Sequence, residues 1–172
     1  MTRSTARYLA DYSPASFTIK TVNLTIELND TSTQVVNELT LNRQGEHQEN
    51  LILDGEKLTL VSVSIDNELL SIDQYQQADH NLIIKTDKNN FTLTIVTEIN
   101  PVDNTSLEGL FKSGGAFCSQ CEAEGFRRIS YYLDRPDVMA IFTTKVIADK
   151  TLYPYLLSNG NKIDQGELAD NK

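Results

Sequence analysis

Between Cys118 and Arg128 the sequence crowds thiols, an amide, carboxylates and guanidinium groups into one short run: Cys118-Ser119-Gln120-Cys121-Glu122-Ala123-Glu124-Gly125-Phe126-Arg127-Arg128. Gln120, Glu122 and Glu124 stand at i, i+2 and i+4. An extended backbone turns alternate side chains to one face, so this spacing predicts three acceptor groups together, with the small Cys121 and Ala123 opposite. An ammonium offers three donors and no acceptor, and two carboxylates with an amide carbonyl match it. The same residues fit a solvated edge whose acids pair with Arg127 and Arg128, and spacing alone leaves both arrangements open.

Other constellations carry less chemistry. Cys118-x-x-Cys121 is half of a zinc or redox motif, but the chain has no further cysteine, and His47 and His80 lie far back in predicted loops. A structural zinc site usually takes four ligands and a thioredoxin-like motif a β-α-β setting, so two ordinary cytosolic thiols are expected. No H-E-x-x-H occurs, and no Ser-His or Cys-His pair lies close in sequence to support a nucleophilic site. His47 and His80 are expected to be solvated. Tyr131-Tyr132-Leu133-Asp134-Arg135-Pro136-Asp137 reads as a turn, with Pro136 fixing φ and Asp134 accepting local backbone hydrogen bonds.

The surrounding elements must be strands. From Phe17 to Ile99 the apolar residues recur with period two: Val22, Leu24, Ile26 and Leu28; then Leu39 and Leu41; later Phe91, Leu93 and Ile95. Leu51-Ile52-Leu53 runs into Asp54-Gly55 and on to Leu58, Leu60, Val61, Val63 and Ile65, a hairpin-like signature with a bulge expected at Leu60-Val61. Leu82 to Ile84 is a further strand. Turn residues recur at short intervals and no amphipathic helix appears, which predicts an all-β fold, an antiparallel β-sandwich spanning residues 1–172 as one domain. Past Pro136, Phe142, Val146 and Ala148 alternate with Ile141, Thr143 and Ile147, predicting a strand covered on both sides. Ser158-Asn159-Gly160-Asn161 is a hairpin turn signal with Lys162 to Leu168 as the outgoing strand, so a sandwich truncated at its C-terminus, with an exposed sheet edge prone to pairing, is expected.

Of 172 residues, 15 are Lys or Arg and 24 are Asp or Glu, a formal charge of −9. That balance opposes nucleic-acid binding, whose footprint is a basic patch. Charged and polar residues interrupt every apolar run, so no membrane span is expected. An N-terminus without an apolar segment behind its arginines reads as cytoplasmic.

Gln120-Cys121-Glu122-Ala123-Glu124-Gly125-Phe126-Arg127, then Tyr131 to Asp137 and Phe142-Thr143-Thr144-Lys145, resemble the N-terminal domain of the bacterial aminopeptidase N family, zinc metallopeptidases of the gluzincin type. The likeness extends from Tyr8 through Leu107-Glu108-Gly109-Leu110 to Asn161. Gln120, Glu122, Arg127, Asp134 and Pro136 fit the wider pattern, while Ser130, Tyr131 and Tyr132 stand where it has Phe, Pro and Cys, a departure that looks proteobacterial.

The resemblance implies a saddle-shaped sandwich packed against a catalytic domain of the parent polypeptide. It implies that Gln120 and Glu122 bind the α-amino group at the N-terminus of a peptide substrate; Glu124 is not carried over and is expected to pair with an arginine. It further implies that the zinc, its H-E-x-x-H and the G-A-M-E-N motif belong to a catalytic domain absent from this chain. The parent would be a monomer, and the 172 residues alone would be inactive, with no catalytic and no metal-binding residue. The competing reading is a stand-alone β-sandwich interaction module with a minor metal or redox role for its two cysteines.

Overall fold

The computed structural model describes residues 8–169 and residue 172. Among the described residues eleven strands form: β1 (Phe17–Glu27), β2 (Thr33–Arg43), β3 (Leu51–Asp54), β4 (Thr59–Ile65), β5 (Glu68–Leu69), β6 (Tyr75–Gln77), β7 (Asn81–Ile84), β8 (Asn90–Ile99), β9 (Gly109–Ser113), β10 (Ala116–Gln120) and β11 (Ile141–Ile147). They make a six-stranded sheet in the order β11-β1-β2-β8-β4-β5, a three-stranded sheet β3-β7-β6, and a separate two-stranded ribbon β9-β10. The larger sheets contribute Val22, Leu39, Leu93 and Ile95 on one side and Leu51, Leu53, Leu82 and Ile84 on the other to a single buried cluster. The all-β sandwich expected from the alternation is therefore present. Its helical content among the described residues is confined to short 3-10 turns such as Leu9–Asp11 and Phe126–Arg128, and no helix there is long and apolar enough to cross a membrane.

Two bulges keep the apolar face inward. Along β1 the buried residues run Phe17 and Ile19, then change phase to Val22, Leu24 and Ile26, and the register with β2 shifts between Ile19 and Thr21. One extra residue reverses which side chains face the core, so the shift restores burial. The bulge expected in β4 is present too, between Leu60 and Ser62, and it turns Val63 and Ile65 inward.

Four expectations are corrected. Leu51 to Ile65 is no hairpin: β3 pairs with β7 and β4 with β8 and β5, so Asp54-Gly55 carries the chain from one sheet to the other. Gly55 is needed there for space, since a Cβ would meet the Tyr131 ring at 2.2 Å. Strand β11 pairs in parallel with β1, against the otherwise antiparallel pattern, and it is not covered on both sides. An edge strand has one neighbour, and Ile141 and Phe142 remain 74% and 47% exposed. Lys162 to Leu168 forms no strand; the bend at Asn159-Gly160 is present, but the run after it has no ladder partner. Finally, His47 is half-buried rather than solvated, with its ring edge-on to Phe17 at 5.5 Å and Nε2 2.9 Å from the Ser16 carbonyl. His80 is exposed, as expected.

Candidate functional site

Gln120 is the last residue of β10, opposite Gly109 of β9. The extended run expected through Glu124 stops there, because the Gly125 N–H donates to the Cys121 carbonyl at 2.9 Å and closes a tight turn over residues 122–124. The Glu122-Ala123 peptide is cis. A Cβ on Gly125 would lie 2.5 Å from the Gln120 carbonyl oxygen and 2.8 Å from the Cys121 Cα, so only glycine lets the turn fold back this closely. Gln120, Glu122 and Glu124 consequently do not share a strand face. Gln120 and Glu122 nevertheless stay together: the Gln120 Nε2 donates to the Glu122 carbonyl at 3.4 Å, and both side chains are exposed.

The arginines decide which acids are free. Arg127 Nε donates to Asp134 Oδ2 at 2.9 Å and its Nη2 lies 3.4 Å from Glu124 Oε2, the arginine partner expected for Glu124. Arg128 bridges Glu56 at 2.9 Å and Glu108 at 3.1 Å, with Ser106 Oγ at 3.3 Å. Both guanidinium groups are thereby engaged by other carboxylates. The Glu122 carboxylate has no hydrogen-bond or ion-pair partner among the described residues.

Behind the turn, residues 129–133 run buried across the sandwich. Their carbonyls are met by side chains of the central strands: Asn37 Nδ2 donates to the Tyr131 carbonyl at 3.2 Å and Thr97 Oγ1 to that of Ile129 at 3.5 Å. Tyr132 pairs with the end of β3 through two backbone hydrogen bonds to Asp54, of 2.7 and 3.0 Å. Asp54 Oδ2 also accepts the Asp134 N–H at 3.1 Å. Burial pushes the Asp54 carboxyl above the usual carboxylate range, against the pull of Arg127. Asp134 accepts the backbone N–H of Arg127 at 3.1 Å, the local bond expected of it.

Asp54, Glu56 and Glu108 were not singled out from the sequence. Each lies many positions from the Arg127-Arg128 pair it supports, and the one local signal, Asp54-Gly55, resembles an ordinary turn. Cys118 and Cys121 are free, half-buried thiols. Burial, with the Asp134 carboxylate adding, pushes the Cys121 thiol up, whereas reactive cysteines have theirs lowered. No group of three or more His, Cys, Asp or Glu side chains that could hold a metal occurs among the described residues.

This arrangement can be set beside known proteins. The family described as Peptidase M1 N-terminal domain matches residues 13–172. The chain belongs to that family. As an M1 N-terminal domain it is 48% identical over 167 residues to Aminopeptidase N of Escherichia coli (strain K12), covering 97% of the chain and 19% of that protein. It is 46% identical over 160 residues to Aminopeptidase N of Caulobacter vibrioides, covering 93% and 18%. The chain thus spans about a fifth of the length of the curated relatives it matches. Among solved structures, Legionella pneumophila aminopeptidase A, crystallised in complex with aspartic acid, superposes with a TM-score of 0.90 at 35% identity over 96% of this chain and 20% of its own. The M1 zinc metallopeptidase of Deinococcus radiodurans, at 14% identity and a TM-score of 0.67 over 79% of this chain and 33% of its own, shares the fold. The residues of this M1 domain do not fit the zinc that its relative's name carries, because its cysteines, histidines and acids do not converge on one point among the described residues.

Proposed function

We propose that this chain is the N-terminal domain of a zinc-dependent aminopeptidase that removes N-terminal residues from peptides, and that Gln120 and Glu122 anchor the α-ammonium group of the substrate. The observation that carries this reading is the free Glu122 carboxylate close to Gln120, in a turn whose other acid, Glu124, is taken by Arg127, while Arg128 is held by Glu56 and Glu108. A carboxylate and an amide oxygen two residues apart provide charge and acceptors for an ammonium. Holding that group fixes where the first peptide bond lies, so the domain contributes register to the cleavage. Zinc would be held by the rest of the parent polypeptide. The parent would be a monomer, and free thiols fit the cytoplasm, where disulfides are rare.

The raised Cys121 thiol weakens the competing reading, a stand-alone module using its cysteines in redox or metal chemistry. In the full-length enzyme Glu122→Ala should lower kcat/KM for aminoacyl p-nitroanilides by the worth of a charge-assisted contact, about 1.5–3 kcal/mol. An unchanged kcat/KM removes Glu122 from the site. The isolated chain should release no aminoacyl group with zinc added, and turnover by a clean preparation would refute its supporting role.

A further inference from the structure

Gln120 ends a ribbon that belongs to neither large sheet. A two-stranded hairpin is marginal by itself, so the direction in which Gln120 points depends on what grips β9 and β10. At the open end the grip is Arg128, held between Glu56 and Glu108. Toward the turn it is Lys112, whose backbone N–H also donates to the Pro101 carbonyl at 3.0 Å. Its Nζ lies 2.6 Å from Asp30 Oδ1, in the connection between β1 and β2, and donates to the Tyr153 hydroxyl, beyond β11, at 2.9 Å. Tyr153 closes the triangle by donating to Asp30 Oδ1 at 3.1 Å. Its ring packs on Phe117 at 4.9 Å, and the Lys112 ammonium stands 5.4 Å from the centre of the Phe117 ring. Phe117 is the ladder partner of Lys112. One ammonium therefore joins both strands of the ribbon to two segments distant in sequence, and it is well covered, with Lys112 only 20% exposed.

The geometry points to Lys112 as a positioning residue for Gln120, acting through the ribbon together with Asp30 and Tyr153. Phe117 and Gln120 are three residues apart, about 10 Å along a strand. A tilt at Lys112 therefore becomes a displacement at Gln120, which weakens its hold on the substrate ammonium, a loss of binding that is read in KM. The inference rests on the reading of Gln120 as a substrate anchor.

The test uses Lys112→Met, Lys112→Arg, Tyr153→Phe and Gln120→Ala in the full-length protein carrying this domain, assayed on an aminoacyl p-nitroanilide, with Tm measured for each. Lys112→Met should raise KM about tenfold while kcat stays within about twofold. Tyr153→Phe, which removes only the hydroxyl, should move KM the same way by less, and Lys112→Arg should restore most of the wild-type value. In a Gln120→Ala background Lys112→Met should add nothing further, because it acts through Gln120. Amide exchange across residues 109–120 should quicken in Lys112→Met. Effects of Lys112→Met and Gln120→Ala that add in full would make Lys112 merely structural and overturn the proposal. So would an unchanged KM in Lys112→Met when Gln120→Ala raises it. Gln120→Ala without effect would refute the anchor reading, and the positioning role with it, a result distinct from failure of the Lys112 grip alone.

Discussion

Arg127 Nε lies 2.9 Å from Asp134 Oδ2, and the same oxygen accepts the Arg127 backbone N–H at 3.1 Å. Arg127 Nη2 also donates to the Asp134 carbonyl at 2.9 Å. One carboxylate thus takes up an N–H within the 3-10 turn at Phe126–Arg128 and fixes the guanidinium that holds Glu124. The side chains are 17% and 11% exposed, so both partners are largely shielded from water. Asp134→Asn keeps the shape and removes the charge. It should cost about 2 kcal/mol of stability, the range for hydrogen bonds to charged groups. Urea denaturation should show a lower midpoint with an unchanged slope, and a loss within about 0.5 kcal/mol, as for an ordinary surface change, would mean that the pair contributes little.

Gly125→Ala should disturb the turn that presents Glu122. The new Cβ would meet backbone atoms at 2.5 and 2.8 Å, which cannot rotate away as a side chain could. Forced overpacking costs about 1–3 kcal/mol. Gly166→Ala is the control, because nothing lies within 4 Å of a Cβ there. Equal denaturation midpoints for the two variants would contradict the close approach.

Tyr132 makes stability sensitive to alkali. Burial, with the Asp134 charge adding, pushes its phenol from 10.0 up to about 12. The unfolded chain ionises first, so this contribution is complete below pH 10 and is lost as pH rises from 10 through about 12. Tyr132→Phe should flatten the fall of Tm across that window. Tyr131, also raised by burial, should leave a residual slope. Superimposable Tm profiles for wild type and Tyr132→Phe would show that the phenol is free to ionise in the fold.

Strand β11 ends the six-stranded sheet with Ile141 and Phe142 exposed. Lys145 is the one charge on this strand, and the unpaired edge beside Ile141 and Phe142 is a template for pairing with another chain. The 172-residue chain should therefore self-associate in sedimentation experiments, and Ile141→Lys should shift it toward monomer. Identical sedimentation of the two would locate any association elsewhere.

The alternation of Val22, Leu24 and Ile26 was legible because the two-residue repeat of a strand is a local property of the backbone. The bulge at Leu60-Val61 was legible for the same reason, since an extra residue breaks the phase of burial within its own segment. Glu124 pairing with an arginine three residues on was equally local. Strand partners were another matter. Asp54-Gly55 looks like a hairpin turn, yet it joins two sheets, because β3 finds β7 and β4 finds β8, and pairing energy depends on residues far away in sequence.

The candidate site divides along the same line. Residue type and spacing offered Gln120, Glu122 and Glu124 together and left a solvated edge open, and the resemblance singled out the first two. Their expected common strand face is absent, because the Gly125 N–H reaches back to Cys121 and folds the backbone into a turn. Whether Glu122 stays unpaired depended on where Glu56, Glu108 and Asp134 meet the two arginines. Short-range electrostatics follows distance in space, and for Glu56 and Glu108 that distance exists only after sheets and ribbon have packed.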